Sequence, residues 1–281
     1  MATPARPAGG TTRAPAHGEA VSIPSPAGPV PARTFLPATA PLGWLVWAHG
    51  GSWRGGSSAD WYEATAELAL TSGFGVVSVD YRLVPEARHP EMVEDVLAAL
   101  AWARSRAELD CVRPLVAVGG DSAGGTLAAS AALVCRDRGL PLAAQVLAYP
   151  PLDPECAADS YHRYPGAFPH AEYLRAAWRA YRAPGHPVAA DGTRLHSTPF
   201  ETGDLRGVAP AVLAGGDLDP VHDDVVRYAQ LLGEAGVERV LQQFRRTGHG
   251  AFLQAGHGSA ESLRGWLGFA LRRLAAPDHD H

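Results

Sequence analysis

Lysine and asparagine are both missing from this sequence, so all 24 of its strongly basic side chains are arginine. The abundance of Ala, Arg, Gly and Pro that goes with this points to a GC-rich genome and says little about function. Basic runs are missing as well. The arginines are scattered among 29 acidic residues for a net charge of -5, with no aromatic residues interleaved in a basic stripe, which excludes the electrostatic footprint of a nucleic-acid binder. The three cysteines, Cys111, Cys135 and Cys156, are an odd number without C-x-x-C spacing. That excludes a disulfide framework and a zinc knuckle and fits reduced thiols in a cytoplasm. No stretch of about eighteen apolar residues exists to span a membrane. Residues 1–17 lack the apolar core of a secretory signal, and their Pro-rich composition makes 1–18 an expected disordered arm. No metal and no cofactor are expected.

What is present is enough apolar material for a sizeable core: 281 residues at 46% hydrophobic, one large α/β domain or two small ones. Glu19 to Pro24 and Val30 to Phe35 flank a Pro/Gly turn and read as an antiparallel hairpin at a sheet edge. Buried strands are expected at Leu42 to Ala48, Phe74 to Val79, Leu115 to Val118 and Leu142 to Tyr149, each a continuous apolar run. Helices are expected at Asp60 to Ser72, Glu91 to Arg106 and Ala123 to Cys135. Strand and helix alternate, which argues for a mostly parallel sheet flanked by helices. From about 150 to 205 the rhythm breaks into prolines, aromatics and one amphipathic helix, Pro169 to Arg182. Tyr173, Leu174, Ala177, Trp178 and Tyr181 share one face of that helix, and Arg175, Arg179 and Arg182 the other. This segment is expected to be a cap inserted into a domain of residues 19–281, its apolar face roofing a pocket. The alternation then resumes with strand Ala211 to Ala214, helix Val221 to Ala235, strand Arg239 to Phe244 and a helix from about Ser259 to Leu274.

The chemistry centres on Gly120-Asp121-Ser122-Ala123-Gly124, between a strand and a helix. In this G-x-S-x-G pattern the glycines admit a sharp, strained turn, and the serine hydroxyl stands clear of the sheet edge beside a helix N-terminus that favours negative charge. A serine hydroxyl is a poor nucleophile at neutral pH, so it needs a base beside it and a carboxylate to orient the base. Both types occur later, each after a strand: Asp217 and Asp219 in Gly-Gly-Asp-Leu-Asp-Pro, and His249 between two glycines. Spacing alone leaves Asp217 and Asp219 open. His222 and His257 lie at helix starts instead, and Asp223 and Asp224 read as helix N-caps. Donors for a developing oxyanion are expected from the backbone N–H of Ala123 and of Gly50 and Gly51, in the His49-Gly50-Gly51 turn after an earlier strand.

These residues resemble the hormone-sensitive-lipase-like branch of the α/β-hydrolase esterases. The markers are His-Gly-Gly-Ser-Trp at 49–53, Asp-Tyr-Arg-Leu-Val-Pro-Glu at 80–86, Gly-Asp-Ser-Ala-Gly-Gly at 120–125, Asp-Pro-Val-His-Asp at 219–223 and Gly-His-Gly at 248–250. The resemblance runs from about Leu42 to Leu274 and implies an α/β-hydrolase fold. It favours Asp219 as the acid and gives His49 and the Tyr81 to Glu86 segment structural roles. Ser52 stands where the family usually has a third glycine, and His-Gly-Gly-x-Trp also resembles arylformamidases. The family's N-terminal lid helices have no counterpart in the Pro-rich start, which implies a pocket that is more open or is completed by a second protomer.

The resemblance implies a serine carboxylic-ester hydrolase with Ser122, His249 and Asp219 as triad, acting on a small or medium acyl ester. An apolar part of the substrate is expected against Trp53, Phe252, Leu253 and the Tyr173, Trp178 and Tyr181 face, with Ser52 and Asp121 completing the pocket. Amide, formamide or thioester hydrolysis and acyl transfer or cyclisation would use the same residues. A binding-only protein, like the plant gibberellin receptors that resemble this family but lack the histidine, is disfavoured by His249. A small-molecule ester is thus the expected partner, with a homodimer compatible and neither nucleic acid nor membrane involved.

Overall fold

The structure is a computed structural model and describes residues 18–111, 113–185, 187–254 and 262–275. Among the described residues there are eight strands: β1 Gly18–Ile23, β2 Val30–Phe35, β3 Gly43–Ala48, β4 Gly75–Val79, β5 Leu115–Asp121, β6 Ala144–Ala148, β7 Ala211–Gly216 and β8 Arg239–Phe244. The helices are α1 Tyr62–Ser72, α2 Glu91–Asp110, α3 Ala123–Asp137, α4 Ser160–Arg163, α5 Ala171–Tyr181, α6 His222–Glu234 and α7 Leu263–Leu274.

One sheet holds all eight strands in the order β1-β2-β4-β3-β5-β6-β7-β8. β1 and β2 form the expected edge hairpin, and β2 joins β4 antiparallel. Every pairing from β4 onward through β3, β5, β6, β7 and β8 is parallel. The apolar runs explain the burial: β3, β4, β6 and β7 are buried at every residue, as strands covered by helices on both faces must be. β8 is the far edge and is largely exposed or half-buried. Because the central strands are parallel, their C-terminal ends share one rim, where the turns after β3, β5, β7 and β8 meet.

Several element ends differ from expectation for local reasons. α1 starts at Tyr62 rather than Asp60, because Ser57 Oγ and the Asp60 carboxylate bond each other at 2.6 Å in a preceding turn. α2 runs on to Asp110. α5 is capped by His170, whose Nδ1 accepts from the Tyr173 N–H. The arm expected over 1–18 lies outside the described residues up to position 17, and Gly18 already opens β1. His257 and the start of the last expected helix also lie outside them.

α4 and α5 occupy the stretch between β6 and β7. What ties this stretch to the domain corrects the N-cap reading of Asp223 and Asp224. Neither caps α6. Asp224 Oδ2 instead accepts from the Leu152 N–H (2.7 Å), the Asp153 N–H (3.0 Å) and the Tyr161 hydroxyl (2.7 Å), and Asp223 Oδ2 accepts from the Ser160 N–H. Both carboxylates are thus spent on the segment that follows β6.

Burial pushes the Asp224 carboxyl up to about 7 from an ordinary 3.8, against the pull of its donors. Asp121 is likewise pushed up to about 7 by burial. Each group then holds its proton in the folded state over a range in which the unfolded chain has released it. The stability this contributes is complete below about pH 4 and is lost as the pH rises through about 7. The thermal midpoint should therefore decline between about pH 4 and pH 7, and Asp224→Asn, which keeps a carbonyl oxygen for the three donors, should flatten that decline. An equally steep decline in the variant would contradict the assignment.

Candidate active site

β5 passes into α3 through a single residue, Ser122, at φ 51° and ψ -123°. A non-glycine residue in this region stores about 1–3 kcal/mol of strain and persists only where its surroundings leave no alternative. Here the turn is wedged. A Cβ at Gly124 would lie 2.0 Å from the Ala48 carbonyl oxygen, and one at Gly120 would lie 2.4 Å from the Gly124 carbonyl carbon. The Ser122 N–H donates to the Ala148 carbonyl oxygen at 2.9 Å. The result is a half-buried hydroxyl at the rim of the sheet.

Ser122 Oγ lies 2.8 Å from His249 Nε2, and His249 Nδ1 lies 2.9 and 3.0 Å from the two oxygens of Asp219. A fully buried carboxylate on Nδ1 fixes the proton there, which leaves Nε2 free to accept from the serine. Asp219 is itself held by the Val221 N–H. Asp217 has a different use: its Oδ1 accepts from the Thr247 N–H, while the Leu218 N–H donates to the Thr247 carbonyl, so it ties the loop after β7 to the loop bearing His249. His222 Nδ1 bonds the Gly216 carbonyl oxygen and takes no part in the triad. Sequence reasoning missed Tyr149, whose ring packs edge-on against His249 at 4.7 Å and whose hydroxyl accepts from the Phe252 N–H. Its place just after β6, on the same rim, was the available signal.

The loop after β3 departs from expectation. The Gly50 N–H donates to Asp121 Oδ1 at 3.2 Å, and the indole N–H groups of Trp61 (2.8 Å) and Trp47 (3.3 Å) donate to the same oxygen. A buried carboxylate must find donors, and it takes this one, so Gly50 is corrected from oxyanion donor to anchor. Asp121, expected in the pocket, is that anchor's partner. The N–H groups of Gly51, Ser52 and Ala123 have no partner among the described residues and remain for an oxyanion. Gly51 is at φ 115°, and a Cβ there would lie 2.1 Å from the Gly55 carbonyl oxygen, so only glycine fits. His49 and Tyr81 do support the loop. Their rings stack at 4.4 Å, the Tyr81 hydroxyl donates to the His49 carbonyl oxygen, and His49 Nδ1 donates to that of Gly50.

Of the expected pocket residues, four are core instead. Trp53 stacks on Tyr181 at 4.4 Å and 9° and packs on Trp178 at 4.7 Å. All three are essentially inaccessible, because the apolar face of α5 is satisfied by packing on the loop rather than by roofing a cavity. Phe252 is buried, stacked on Trp47. Leu253 is exposed on the turn after His249. Tyr173 is half-buried and bonds Ser52 Oγ through its hydroxyl at 3.2 Å. Phe168, which no periodicity marks, is 58% exposed, with its ring 5.2 Å from that of Tyr173 and 6.3 Å from that of His249. Among the described residues no three His, Cys, Asp or Glu side chains gather as metal ligands, and no helix is long and apolar enough to cross a membrane.

A serine on a strand-to-helix turn, met by a histidine and an aspartate from later strand ends of one mostly parallel sheet, is the architecture of the serine-bearing α/β-hydrolases. A family profile described as the alpha/beta hydrolase fold matches residues 45–253. The carboxylic ester hydrolase LipN of Mycobacterium tuberculosis is 35% identical over 85% of this chain, which spans 66% of that protein's length. The carboxylesterase NlhH of the same species is 35% identical over 79% of this chain and 70% of its own. Among solved structures, esterase LipW from Mycobacterium marinum aligns with a TM-score of 0.82 at 32% identity, covering 93% of this chain and 83% of its own. A bacterial heroin esterase aligns with a TM-score of 0.82 at 31% identity, covering 94% and 86%. The chain belongs to the hormone-sensitive-lipase-like branch of the α/β-hydrolase family.

The two aspartates after β7 separate cleanly by mutation. Asp219→Asn should lower kcat by about 10⁴-fold, through the wrong imidazole tautomer. Asp217→Asn keeps an oxygen for the Thr247 N–H and should stay within about tenfold of wild type. Steady-state kinetics showing the reverse order would reassign the acid.

Proposed function

We propose that this protein hydrolyses carboxylic esters through an acyl-enzyme on Ser122. The observation that carries the reading is the continuous Ser122–His249–Asp219 hydrogen-bond chain, with distances of 2.8 and 2.9 Å, at the rim of the sheet. Ser122 Oγ attacks the ester carbonyl while His249 Nε2 takes its proton. The charge that develops on the carbonyl oxygen is met by the N–H groups of Gly51 and Ser52 in the loop after β3 and of Ala123 at the N-terminus of α3. Collapse expels the alcohol, which receives the proton from His249. Water, deprotonated by the same nitrogen, then attacks the acyl carbonyl, and the carboxylic acid leaves as Ser122 regains its proton. Asp219 holds the imidazole in place and stabilises its charged form throughout.

Similarity to proteins named as esterases favours esters over the amides, thioesters or cyclisations that the same groups could serve. A small or medium, partly apolar substrate is supported by Phe168, whose ring stands 6.3 Å from that of His249 with Tyr173 packed behind it. A cytoplasmic location is supported by three cysteines without disulfide partners. A homodimer is supported by β8: its outer edge carries no further strand among the described residues, and Val240 is exposed there with Phe269 of α7. Sedimentation that reads only monomer at micromolar concentration would remove the dimer from this account.

Chromogenic acyl esters of graded length test the activity. Short and medium esters should be turned over, and Ser122→Ala should lose at least about 10⁴-fold in kcat/KM. Indistinguishable rates for the two proteins on every ester would overturn the proposal.

A further inference from the structure

Ser52 raises a question that the mechanism leaves open. It lies within a run of three consecutive residues at positive φ: Gly51 at 115°, Ser52 at 55° and Trp53 at 59°. Glycine would take the middle position without strain, yet the chain places a serine there, 8% exposed, with its hydroxyl turned to the cap. A strained conformation persists only where its neighbours leave no alternative, and the neighbours here can be named. Toward the sheet, the Gly50 N–H is held by Asp121. Within the loop, the N–H groups of Arg54 and Gly55 donate to the Gly51 carbonyl oxygen at 3.0 and 3.2 Å, and the Val84 N–H donates to that of Trp53.

On the Ser52 to Arg54 side, further restraints come from α5. Tyr173 OH meets Ser52 Oγ at 3.2 Å, Trp178 and Tyr181 enclose the Trp53 ring, and Arg54 Nη2 donates to the Ala176 carbonyl oxygen at 3.2 Å. Three successive loop residues are therefore gripped by one helix of the inserted segment. The grips differ in kind. Trp53 is locked by a fully buried ring stack, and Arg54 bonds a backbone carbonyl at the surface, whereas Ser52 is held by one hydroxyl-to-hydroxyl bond beside its own free N–H. Tyr173 also packs against Phe168, which faces His249, so its side chain bridges the loop side and the histidine side of the site.

From this we infer that Tyr173 is a positioning residue: its phenol holds Ser52 in the left-handed conformation that presents the Ser52 N–H to the oxyanion, so the cap helix helps to build the oxyanion hole. The inference rests on the ester-hydrolase reading of the site and assigns Tyr173 a role in the rate of the chemical step, beyond lining the substrate pocket. Substrate does not have to touch the phenol for the effect to operate.

A double-mutant cycle on a short acyl ester, too small to reach Tyr173, tests it. Tyr173→Phe should lower kcat about three- to tenfold, as expected for one net hydrogen bond, with KM within about twofold of wild type. Affinity for a small alkylboronic acid, which bonds to Ser122 and places an oxyanion in the hole, should fall by the same factor. In the Ser52→Gly background, where no hydroxyl remains to be held, adding Tyr173→Phe should cost nothing further. The inference is overturned if kcat and boronate affinity are unchanged in Tyr173→Phe, if only KM rises, or if the loss is equally large in both backgrounds, the mark of a general structural role. Failure of the ester-hydrolase reading would look different, since wild type itself would then show no turnover dependent on Ser122.

Discussion

The closeness of α3 to the end of β3 is the constraint from which the rest of the site follows. The first turn of the helix can approach the Ala48 carbonyl only because residue 124 carries no side chain, and that approach forces Ser122 into its left-handed turn. The same approach brings the residue before the serine, Asp121, against the residue after His49. One buried carboxylate oxygen then fastens the loop after β3 to the nucleophile turn through the Gly50 N–H. The nucleophile turn and the loop after β3 are thus coupled through a backbone contact and a shared carboxylate.

Parallel strand order does the remaining assembly. β5, β7 and β8 end on the same rim, so side chains far apart in sequence need only short loops to meet. Asp217 and the Leu218 N–H both engage Thr247, which draws the acid loop and the histidine loop together. On the other side, Asp223 and Asp224 secure the beginning of the stretch between β6 and β7, and α5 then closes over the residues after Gly51. The site has a floor made by the sheet and a wall made by α5, and the loop after β3 runs between them.

Much of this was legible in the sequence because it depends on local rules. Continuous apolar runs read correctly as buried parallel strands, and the paired glycines around Ser122 marked a turn that little else could make. The strand-end position marked His249, while the end of β7 offered both Asp217 and Asp219, and only the family resemblance favoured Asp219. What the sequence hid depends on competition for partners across the fold. Gly50 and Gly51 look equivalent in a row of glycines, and only the buried Asp121 carboxylate makes one an anchor and leaves the other free. The aromatic face of α5 reads from its periodicity as a pocket roof, yet it is packing. The choice is made by Trp53, a ring on a distant loop that fills the space. Phe168 carries no periodic signal and is found only by its distance from His249, whereas Tyr149 is marked only by ending the apolar run of β6 on the active rim.

The central claim is that Ser122 is the activated nucleophile of this chain. Intact-mass and peptide-mapping analysis after treatment with a fluorophosphonate, which reacts with activated serines, tests it most directly. The account predicts a single adduct on the peptide that contains Ser122, absent in Ser122→Ala and formed far more slowly in His249→Ala. No adduct, or one that persists when Ser122 is replaced, would contradict it.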